Sequence, residues 1–487
     1  MIEATRPRLA ILSYSNGKFD ARTRRVAQSA GAAGFDVVAY ARWEPGLPLE
    51  ETIDGLRIVR APIVVRMAIP GLRRSGRREI ARLRAAAAAA VAATAAPAGA
   101  PASAVSVAGA NARRRSTTLP TGGRTRPLSV RLRELRDDPV GYGRHVATRI
   151  VRLPYRALRG VVGPFVLFPL RPMAWAAALE DVTEPADLWH GMWAGSLPAL
   201  ERLRRRHGGR TVYDSRDVYL HARVFDRMRP AMRSRFVRLE QRWARAADLV
   251  VTVNDAYADI LAPLLGIGRP LVVRNCPDPY DPPGTRPDRI RELVGIPPET
   301  AVVLYQGGLM TERGVEQGME AILEVPGAHY VVMGYGSQRA AFIELAGQSR
   351  FRGRVSVIDA VPPEELLAWT ASADVMLMAI QPTTLNHRFT TPQKLWEAIA
   401  AGIPVVASDL PGMAEVVREV GCGTLCDPTN PASIAAAIRE LLALSADARA
   451  EMRTRTLAAA HDRYNWRVQA DVLLAGYAGL VGERGTP

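Results

Sequence analysis

The chain has 487 residues and a formal net charge of +16 at pH 7. This length exceeds what one ordinary hydrophobic core can serve, so two or three domains are expected. The basic balance favours anionic ligands or surfaces, but no DNA- or RNA-binding motif is present, so nucleic acid is not an expected partner.

Three cysteines, Cys276, Cys422 and Cys426, lack the spacing of a zinc knuckle or a redox pair. We expect them to be small buried apolar residues in a reducing cytoplasm. Strand-forming residues begin almost at once after the N-terminus, so no signal peptide is expected. The sequence therefore predicts a cytoplasmic protein.

The chain opens with a βαβ pattern, which is typical of a doubly wound sheet. Residues 8–15 predict a buried strand, residues 22–33 a helix and residues 35–41 the next strand. Asn16 and Gly17 end the first strand.

Regular patterning weakens between about residues 63 and 180, a basic insert that we predict to be partly disordered. Residues 85–110 are uncharged, rich in alanine and interrupted by proline, which favours a helix running into a disordered linker over a membrane span. Residues 111–136 are rich in arginine. Residues 149–179 mix arginine with large apolar residues, so they either lie on an anionic membrane or cover the sheet.

Strand and helix patterns return at residue 187 and continue to a last strand of the first half at residues 269–275. Residues 276–287 are rich in proline and aspartate, which predicts a hinge. A second doubly wound domain then begins with strands predicted near residues 302–308 and 330–336.

The stretch from residue 386 to residue 409 predicts a loop, a helix and a buried strand. Thr391 is the expected N-cap, and Gly402 supplies the C-terminal stop. The free amides at such a helix N-terminus form a ready anion site. Lys394 and Glu397 are three apart on one helix face, so they suit a phosphate and a ribose hydroxyl.

The string TTPQKLWEAIAAGIPVVASDLPG, residues 390–412, resembles the signature of the retaining glycosyltransferases of family GT4, which have the GT-B fold. Residues 236–275 are similar to the segment that precedes the interdomain crossing of that family. The resemblance implies an α/β protein with two Rossmann-like doubly wound domains facing a cleft. The structural alternative is a βα unit of some other Rossmann-like domain.

The resemblance also implies a domain organisation. Residues 1–278 would form the acceptor domain, with the variable insert inside it, and residues 279–300 the hinge. Residues 301–460 would bind the nucleotide sugar, and residues 461–487 would carry a helix that crosses back to the first domain.

On the donor side, the resemblance places Glu397 on the ribose and the cations Arg313 and Lys394 on the diphosphate. Further donor-binding candidates lie in the loops and turns at the cleft: Gly17, Gly308, Gly334, Gly336, Val361, Thr390 and Thr391.

On the acceptor side, the candidates are Asp20, His190, Arg216 and Asp217. Asp20 is equally compatible with a solvated helix start, and a histidine at the end of a buried strand is more often structural than catalytic. The sequence departs from the family where Arg216 replaces a common histidine and Gly308 a common arginine. Phe389 also replaces a second glutamate, which some relatives of the family lack too, and His387 and Arg388 are candidates to contact the sugar instead.

The implied reaction is transfer of a sugar from a nucleotide-diphosphate sugar to an acceptor hydroxyl, with retention, as in glycan biosynthesis. No cofactor and no metal are expected. The acceptor would be a lipid-linked glycan, a polysaccharide precursor or a small metabolite, and an anionic membrane surface is a further expected partner. The alternatives are an inactive nucleotide-sugar-binding subunit and a sugar-nucleotide epimerase of the GT-B fold.

Overall fold

The structure is a computed structural model that describes residues 6–17, 20–95, 166–225, 228–284 and 287–482. The arginine-rich residues 111–136 and most of the predicted linker therefore lie outside the described residues.

The first domain is built on an eight-stranded sheet with the order β3-β4-β2-β1-β5-β6-β7-β8. Neighbouring strands run parallel, except that β3 and β4 form an antiparallel edge hairpin. The strands are β1 (Arg8–Ser13), β2 (Asp36–Arg42), β3 (Glu50–Ile53), β4 (Leu56–Ala61), β5 (Leu188–Met192), β6 (Arg210–Ser215), β7 (Leu249–Thr252) and β8 (Leu271–Val272).

Six helices before the interdomain connection cover the sheet in the part of the domain that the structure describes. They are α1 (Ala21–Ala32), α2 (Arg73–Ala95), α3 (Arg171–Leu179), α4 (Leu197–His207), α5 (Pro230–Ala244) and α6 (Asp255–Leu265). Asp20 is the N-cap of α1, and its carboxylate accepts a hydrogen bond from the backbone amide of Thr23. The sheet's inner residues alternate between two hydrophobic clusters, one on each face.

The end of the basic insert covers the sheet. Phe168 and Trp175 are both completely buried in the first-domain core, and the indole of Trp175 donates to the carbonyl of Ala41. Of the two alternatives for residues 149–179, a membrane face or a cover of the sheet, these two residues follow the second, because their apolar surface is buried in the core. Across the described ranges, no helix combines the length and apolar character needed to cross a bilayer.

The second domain has a fully parallel six-stranded sheet with the order β11-β10-β9-β12-β13-β14. This is the order of two βαβαβ halves joined at a central switch point. The strands are β9 (Ala301–Gly308), β10 (Ala328–Tyr335), β11 (Val355–Ile358), β12 (Val375–Met378), β13 (Val405–Ser408) and β14 (Gly423–Cys426). All three cysteines are free and buried.

The helices of this domain, with α7 at its entrance, are α7 (Arg289–Val294), α8 (Val315–Ile322), α9 (Arg339–Ala346), α10 (Leu366–Thr370), α11 (Leu385–Phe389), α12 (Gln393–Ala401), α13 (Pro411–Val420), α14 (Pro431–Leu442) and α15 (Ala446–Asp462). The central helix α12 ends at Gly402 in the left-handed conformation, as predicted. Its N-cap is Pro392 and not Thr391, because the hydroxyl of Thr391 instead accepts a hydrogen bond from Asn254 of the first domain.

The chain passes between the domains twice. Residues 277–284 have no regular structure, but α7 lies inside the predicted hinge and buries Ile290 in the second-domain core, so the irregular connection is shorter than predicted. After α15 the chain returns as α16 (Trp466–Gly482), which packs Trp466, Leu473 and Tyr477 against the first sheet. The predicted α/β architecture of two doubly wound domains is confirmed.

Candidate active site

Each sheet has one point where the strand order reverses, between β1 and β5 in the first domain and between β9 and β12 in the second. Ligands of open α/β sheets bind outside the carboxyl ends of the strands at such a point. Asp20 and Arg216 of the first domain, and Arg313, Thr390 and Lys394 of the second, lie beyond the carboxyl ends of strands, which is the side of each sheet that faces the cleft.

Glu397 on α12 is anchored to the end of β9. Its carboxylate accepts a hydrogen bond of 2.5 Å from Nε2 of Gln306, whose Oε1 accepts one of 2.8 Å from the hydroxyl of Thr370. Burial raises the pKa of Glu397, although Gln306 and Lys394 offset part of the rise. The arrangement fixes one carboxylate oxygen on the protein.

Lys394 lies one turn before Glu397, with Nζ 3.5 Å from the ring centroid of Tyr305. Burial and the nearby charge of Arg313 lower the pKa of Lys394 to about 7, and Glu397 opposes this shift. Within the described ranges Lys394 makes no ion pair, so its ammonium group is available to an anionic ligand.

Arg313 lies in the turn between β9 and α8. Glu312, before it, has a positive φ of 68° and forms an ion pair of 2.8 Å with Arg223 of the first domain. Gly314, after it, has φ of 77°, and a Cβ at this position would lie 1.9 Å from the carbonyl oxygen of Ala379. The turn is thus held tightly, while the guanidinium of Arg313 forms no ion pair with any residue described by the structure.

The candidate glycines of the second domain serve the packing of strand ends. A Cβ on Gly334 would lie 1.9 Å from the carbonyl oxygen of Gly307, and one on Gly336 would lie 2.3 Å from that of Leu309. Gly308 is exposed, and Val361 is half-buried against the second-domain core. The strand packing alone already explains Gly334 and Gly336, and contact of all four residues with a donor stays a prediction.

Gly17 is buried at the end of the β1 loop. A Cβ there would lie 3.2 Å from the Cβ of Ala41 and 3.4 Å from Cγ2 of Ile58, and its φ is 77°. The residue is therefore required by the packing of the loop on the sheet, and its contact with a donor stays a prediction.

A cavity of about 270 Å³ lies at the first switch point and reaches α12 of the second domain. Its position next to Lys394 suits the second substrate of a transfer reaction. The cavity is lined by Ser15, Asn16, Asp20, Ala21, Arg22, Trp193, Arg216, Asn275 and Gln393.

Asp20 and Arg216, two of the predicted acceptor-side residues, meet in this cavity as an ion pair of 2.9 Å. Burial alone would raise the pKa of Asp20, but the charge of Arg216 and the hydrogen bonds from Arg216 and Thr23 together lower it. Arg216 also lies over the indole of Trp193, 5.0 Å from the ring centroid. The structure thus gives Asp20 two roles, as helix cap and as cavity wall.

Trp193 has an unusual backbone, with φ of 66° and ψ of 160°. This region is essentially restricted to glycine and costs about 1–3 kcal/mol for other residues. The turn is held by the hydroxyl of Ser196, which donates to the carbonyl of Trp193 at 2.7 Å, and by Gly195, which packs against the ring of Tyr14. The protein therefore holds this indole at the cavity in a backbone conformation that costs free energy.

His190 lies away from the cleft. It is completely buried in β5, where its Nδ1 is hydrogen-bonded to the hydroxyl of Tyr477 on α16 and its Nε2 is 3.5 Å from Asp214. Burial lowers the pKa of His190. The prediction that His190 meets the acceptor is therefore wrong, because α16 covers its side of the sheet.

Arg22 links this buried network to the cavity. Its Nε forms an ion pair of 2.7 Å with Asp214, and its Nη1 donates to the carbonyl of Val273. Its Nη2 is buried and has no hydrogen-bond partner among the described residues. The side chain is 1% exposed, and other atoms of Arg22 line the cavity.

Asp217 follows Arg216 and is half-buried. Burial raises the pKa of Asp217 to about 6 despite the neighbouring Arg216, and burial also raises the pKa of Glu240 on α5 to about 7. Asp217 does not line the cavity, so its contact with an acceptor stays a prediction.

The segment before α12 joins the two domains. Nδ2 of Asn254 donates to the carbonyl of Phe389 at 2.9 Å and to the hydroxyl of Thr391 at 3.1 Å. The ring of Phe389 packs against the first-domain core, which explains an apolar residue at a position where a glutamate was expected. Thr390 lies between these two anchored residues, at the N-terminal side of α12.

The proposed substitutes for the missing glutamate are placed differently. Burial and the charge of Arg313 lower the pKa of His387, so the imidazole lies near the diphosphate-binding candidates. Arg388 is exposed and donates weakly to the carbonyl of Pro382 at 3.4 Å. His387 is therefore the better placed of the two.

Several site residues were not predicted from the sequence: Arg22, Trp193, Asn275, Tyr305, Gln306 and Gln393. Gln393 could have been found, since it opens the helix that carries Lys394. The other residues become part of the site only through the tertiary structure, which the local sequence pattern does not reveal. In the described part of the chain, no group of three or more histidine, cysteine or acidic residues is arranged to hold a metal ion.

Solved structures share this architecture. Sucrose-phosphate synthase from Thermosynechococcus elongatus superposes with a TM-score of 0.61 at 16% identity, covering 98% of this chain and 100% of that structure. HepE from Anabaena, solved in complex with UDP-glucose, superposes with a TM-score of 0.59 at 13% identity, covering 97% and 100%. The two facing domains and their cleft therefore define a protein of the GT-B fold.

Residues 287–459 match the family model described as glycosyl transferases group 1. A 2-deoxystreptamine glucosyltransferase of Streptomyces kanamyceticus is 27% identical over 363 residues, which are 70% of this chain and 90% of the relative. A D-inositol 3-phosphate glycosyltransferase of Mycobacterium marinum is 30% identical over 205 residues, 41% of this chain but only 43% of the relative. Residues 287–459 thus match the group 1 glycosyltransferases, the chain is similar to glycosyltransferases over most of its length, and it is a transferase enzyme.

Proposed function

We propose that this enzyme transfers a sugar from a nucleotide-diphosphate sugar to an acceptor hydroxyl, with retention at the anomeric carbon and without a metal ion. The proposal rests mainly on two cations, Arg313 and Lys394, which lie near each other beside the N-terminus of α12. Neither of them forms an ion pair with any residue that the structure describes. Two cations and a helix N-terminus suit a diphosphate.

In the proposed reaction, the bond between the anomeric carbon and the diphosphate oxygen breaks, and the acceptor oxygen bonds to that carbon as its proton is released. Negative charge develops on the departing diphosphate. Arg313, Lys394 and the amides of α12 stabilise this charge because they are already in place before the reaction. Glu397, held by Gln306, then has one oxygen free for the donor ribose.

The donor is the first point to test. UDP and UDP-glucose are the first ligands to try, since HepE of the same fold is solved with UDP-glucose. Wild-type protein should bind UDP and consume a UDP-sugar only when acceptor is present. Glu397→Gln and Arg313→Ala should each weaken UDP binding by about 1.5–3 kcal/mol, because each removes a charged hydrogen bond.

Arg449→Ala is the matched control, because Arg449 is an exposed arginine on α15 of the same domain and has no assigned role at the donor site. Unchanged UDP affinity in both site variants would contradict the assignment of Glu397 and Arg313 to the donor site. Binding without turnover would favour an inactive binding subunit, and nucleotide release without acceptor would favour an epimerase. The anomeric configuration of the product, read by NMR, tests retention.

For the acceptor, the proposal extends to a lipid-linked glycan, a polysaccharide precursor or a small metabolite, and to peripheral docking on an anionic membrane. Val65, Ile69 and Leu72 are 36%, 41% and 44% exposed, on a segment of the first domain next to α2. Exposed arginines flank them: Arg66, Arg74, Arg77, Arg78 and Arg82. Each basic residue near an anionic surface contributes about 1 kcal/mol, screened by salt.

Liposome flotation tests this docking. The protein should float with phosphatidylglycerol vesicles at low salt and be released at high salt. Glutamine at Arg74 and Arg78 should weaken flotation, whereas glutamine at the exposed Arg449 and Arg467 should not. If the wild-type protein stays in the soluble fraction at low salt, membrane docking is wrong and the acceptor is a soluble molecule.

A further inference from the structure

Two consecutive residues at the end of β9 contact the two charged side chains of α12. The ring of Tyr305 lies under Lys394, with its centroid 3.5 Å from Nζ, and Nε2 of Gln306 donates to Glu397 at 2.5 Å. Side chains of consecutive strand residues point to opposite faces of a sheet, so β9 meets α12 at two separate points. Lys394 and Glu397 are therefore held independently of each other.

Without these contacts, Lys394 and Glu397 would be expected to pair with each other. A cation and a carboxylate three residues apart lie on adjacent turns of one helix face and commonly attract each other. In the part of the chain that the structure describes they form no ion pair, yet each favours the charged form of the other, as the directions of their pKa shifts show. The two groups are thus close but held apart.

The ring under Lys394 is firmly placed. Tyr305 is 1% exposed in the second-domain core, and its hydroxyl donates to the carbonyl of Gly308 at 2.8 Å. Lys394 also passes beside Gly307, where a Cβ would lie 3.6 Å from both Cε and Nζ. Burial raises the pKa of Tyr305 to about 12, so the phenol is neutral and offers an aromatic face to the ammonium group.

The amide that holds Glu397 is placed with the same precision. Gln306 is 1% exposed, and its Oε1 accepts a hydrogen bond of 2.8 Å from the hydroxyl of Thr370, which leaves Nε2 as the end that faces the carboxylate. An amide and an aromatic ring are both uncharged. They therefore hold Glu397 and Lys394 without cancelling either charge.

The other charged groups nearby cannot replace these contacts. Arg313, in the turn after β9, repels the ammonium group of Lys394, and Arg25 on α1 favours the charged form of Glu397. Among the described groups whose charge affects the pKa of Lys394, Glu397 is the negative one. If Lys394 left the ring of Tyr305, the carboxylate of Glu397 would be its nearest favourable partner.

We infer that Tyr305 and Gln306 are positioning residues, which keep Lys394 and Glu397 apart so that both charges remain available to the donor. The inference rests on the proposed donor site and goes beyond it, because neither β9 residue has to touch the donor. Loss of either contact should allow Lys394 and Glu397 to pair.

The test measures Lys394 directly in the full chain without a ligand. Lys18 and Lys394 are the only lysines of the sequence, so acetylation of Lys394 can be followed by mass spectrometry as the pH is varied. In wild-type protein the midpoint of reactivity should lie at about pH 7, the pKa of Lys394. Gln306→Leu and Tyr305→Leu should each raise the midpoint by about one pH unit, because a paired carboxylate stabilises the ammonium form.

The same two changes in a Glu397→Gln protein should not raise the midpoint, because no carboxylate is left to pair with Lys394. This comparison separates positioning from general damage to the strand, which would act in both backgrounds. An unchanged midpoint in both leucine variants, or an equal rise with and without Glu397, would overturn the inference.

Two further variants control for the loss of a buried ring. Tyr305→Phe keeps the aromatic face and should keep the wild-type midpoint. Tyr330 is a completely buried tyrosine on β10 in the same hydrophobic cluster, so Tyr330→Leu removes a ring of the same size while Tyr305 stays in place. A rise in either control as large as that of Tyr305→Leu would overturn the role of the ring.

UDP affinity links the inference to the proposed function. Gln306→Leu and Tyr305→Leu should each weaken UDP binding by about two- to tenfold, the range for one lost hydrogen bond or cation–π contact. Midpoints that shift as expected in a protein that does not bind UDP would support the positioning role and contradict the proposed function. UDP binding with no shift of any midpoint would overturn the positioning role alone.

Discussion

Asn386 of the second domain makes two hydrogen bonds with the backbone of Val218 in the first domain. Its Oδ1 accepts from the amide of Val218 at 2.8 Å, and its Nδ2 donates to the carbonyl of the same residue at 3.2 Å. Tyr257 adds a third contact, since its hydroxyl donates to the carbonyl of Asn386 at 3.0 Å. The segment that leads into α12 is thus hydrogen-bonded to the first domain.

Loss of these interdomain hydrogen bonds should favour an open cleft. Asn386→Ala removes both side-chain hydrogen bonds, each worth about 0.5–1.5 kcal/mol, so the radius of gyration from X-ray scattering and the acceptor KM should both increase. Asn386→Asp keeps the bond from the Val218 amide and should give an intermediate result. Equal scattering curves and KM values for all three proteins would contradict this role.

Donor affinity should depend on pH through Lys394. Its pKa of about 7 means that only about half of the free protein carries this charge at pH 7. A bound diphosphate favours the charged form, so affinity for UDP should be highest below pH 7 and should fall as pH rises, by up to about tenfold per unit.

Calorimetric titration of UDP from about pH 6 to about pH 9 measures this dependence, and Lys394→Arg should remove it because arginine stays charged throughout this range. Wild-type protein should also take up protons when it binds UDP at neutral pH. This uptake is detected because the measured heat then depends on the ionisation heat of the buffer. A wild-type affinity that does not change with pH would mean that Lys394 does not touch the diphosphate.

The contact between α16 and the first sheet should contribute to stability. Tyr477→Phe leaves the completely buried Nδ1 of His190 without its partner on α16, at a cost of about 1–3 kcal/mol. Such a loss lowers Tm by about 2–4 °C per kcal/mol in a domain of this size.

Tyr464→Phe is the matched control for this experiment. The hydroxyl of Tyr464 donates to Glu419 at 2.9 Å, but the Glu419 side chain is 43% exposed, so water can replace the lost bond. Its Tm should fall less than that of Tyr477→Phe. The reverse order would show that the buried hydrogen bond matters little.

Transfer activity should survive removal of divalent metal ions. Arg313 and Lys394 can supply the positive charge that a metal ion would otherwise bring to the departing diphosphate. We expect initial rates in excess EDTA to equal those in magnesium. Activity that disappears with EDTA and returns with magnesium or manganese would contradict the prediction.

Much of the second domain could be predicted because its strands, helix faces and helix ends follow from residues that are neighbours in the sequence. Buried strands are continuous apolar runs, and the spacing of Lys394 and Glu397 places both on one face of α12 whatever surrounds the helix. The left-handed stop at Gly402 follows from a single residue type. The helix start was misplaced by one residue because Thr391 binds a side chain from another domain.

The first domain was harder to predict because its site depends on distant contacts. His190 was expected at the end of a buried strand but lies in the middle of β5, and only the return of α16, with Tyr477 placed 287 residues later, makes it a packing residue. Trp193 carries no local signal, since its positive φ arises from the turn between β5 and α4. Gln306 and Tyr305 become site residues only because α12 lies beside β9.

The return of α16 also has a consequence for biosynthesis. Trp466 lies near Arg22 and Arg25, with its ring centroid 5.8 Å and 5.4 Å from their guanidinium carbons, and Tyr477 completes the same face of the first sheet. During translation, residues 8–272 leave the ribosome well before this helix does. Until then the nascent first domain exposes an apolar face, so the domain synthesised first cannot be completed until residues 466–482 have emerged.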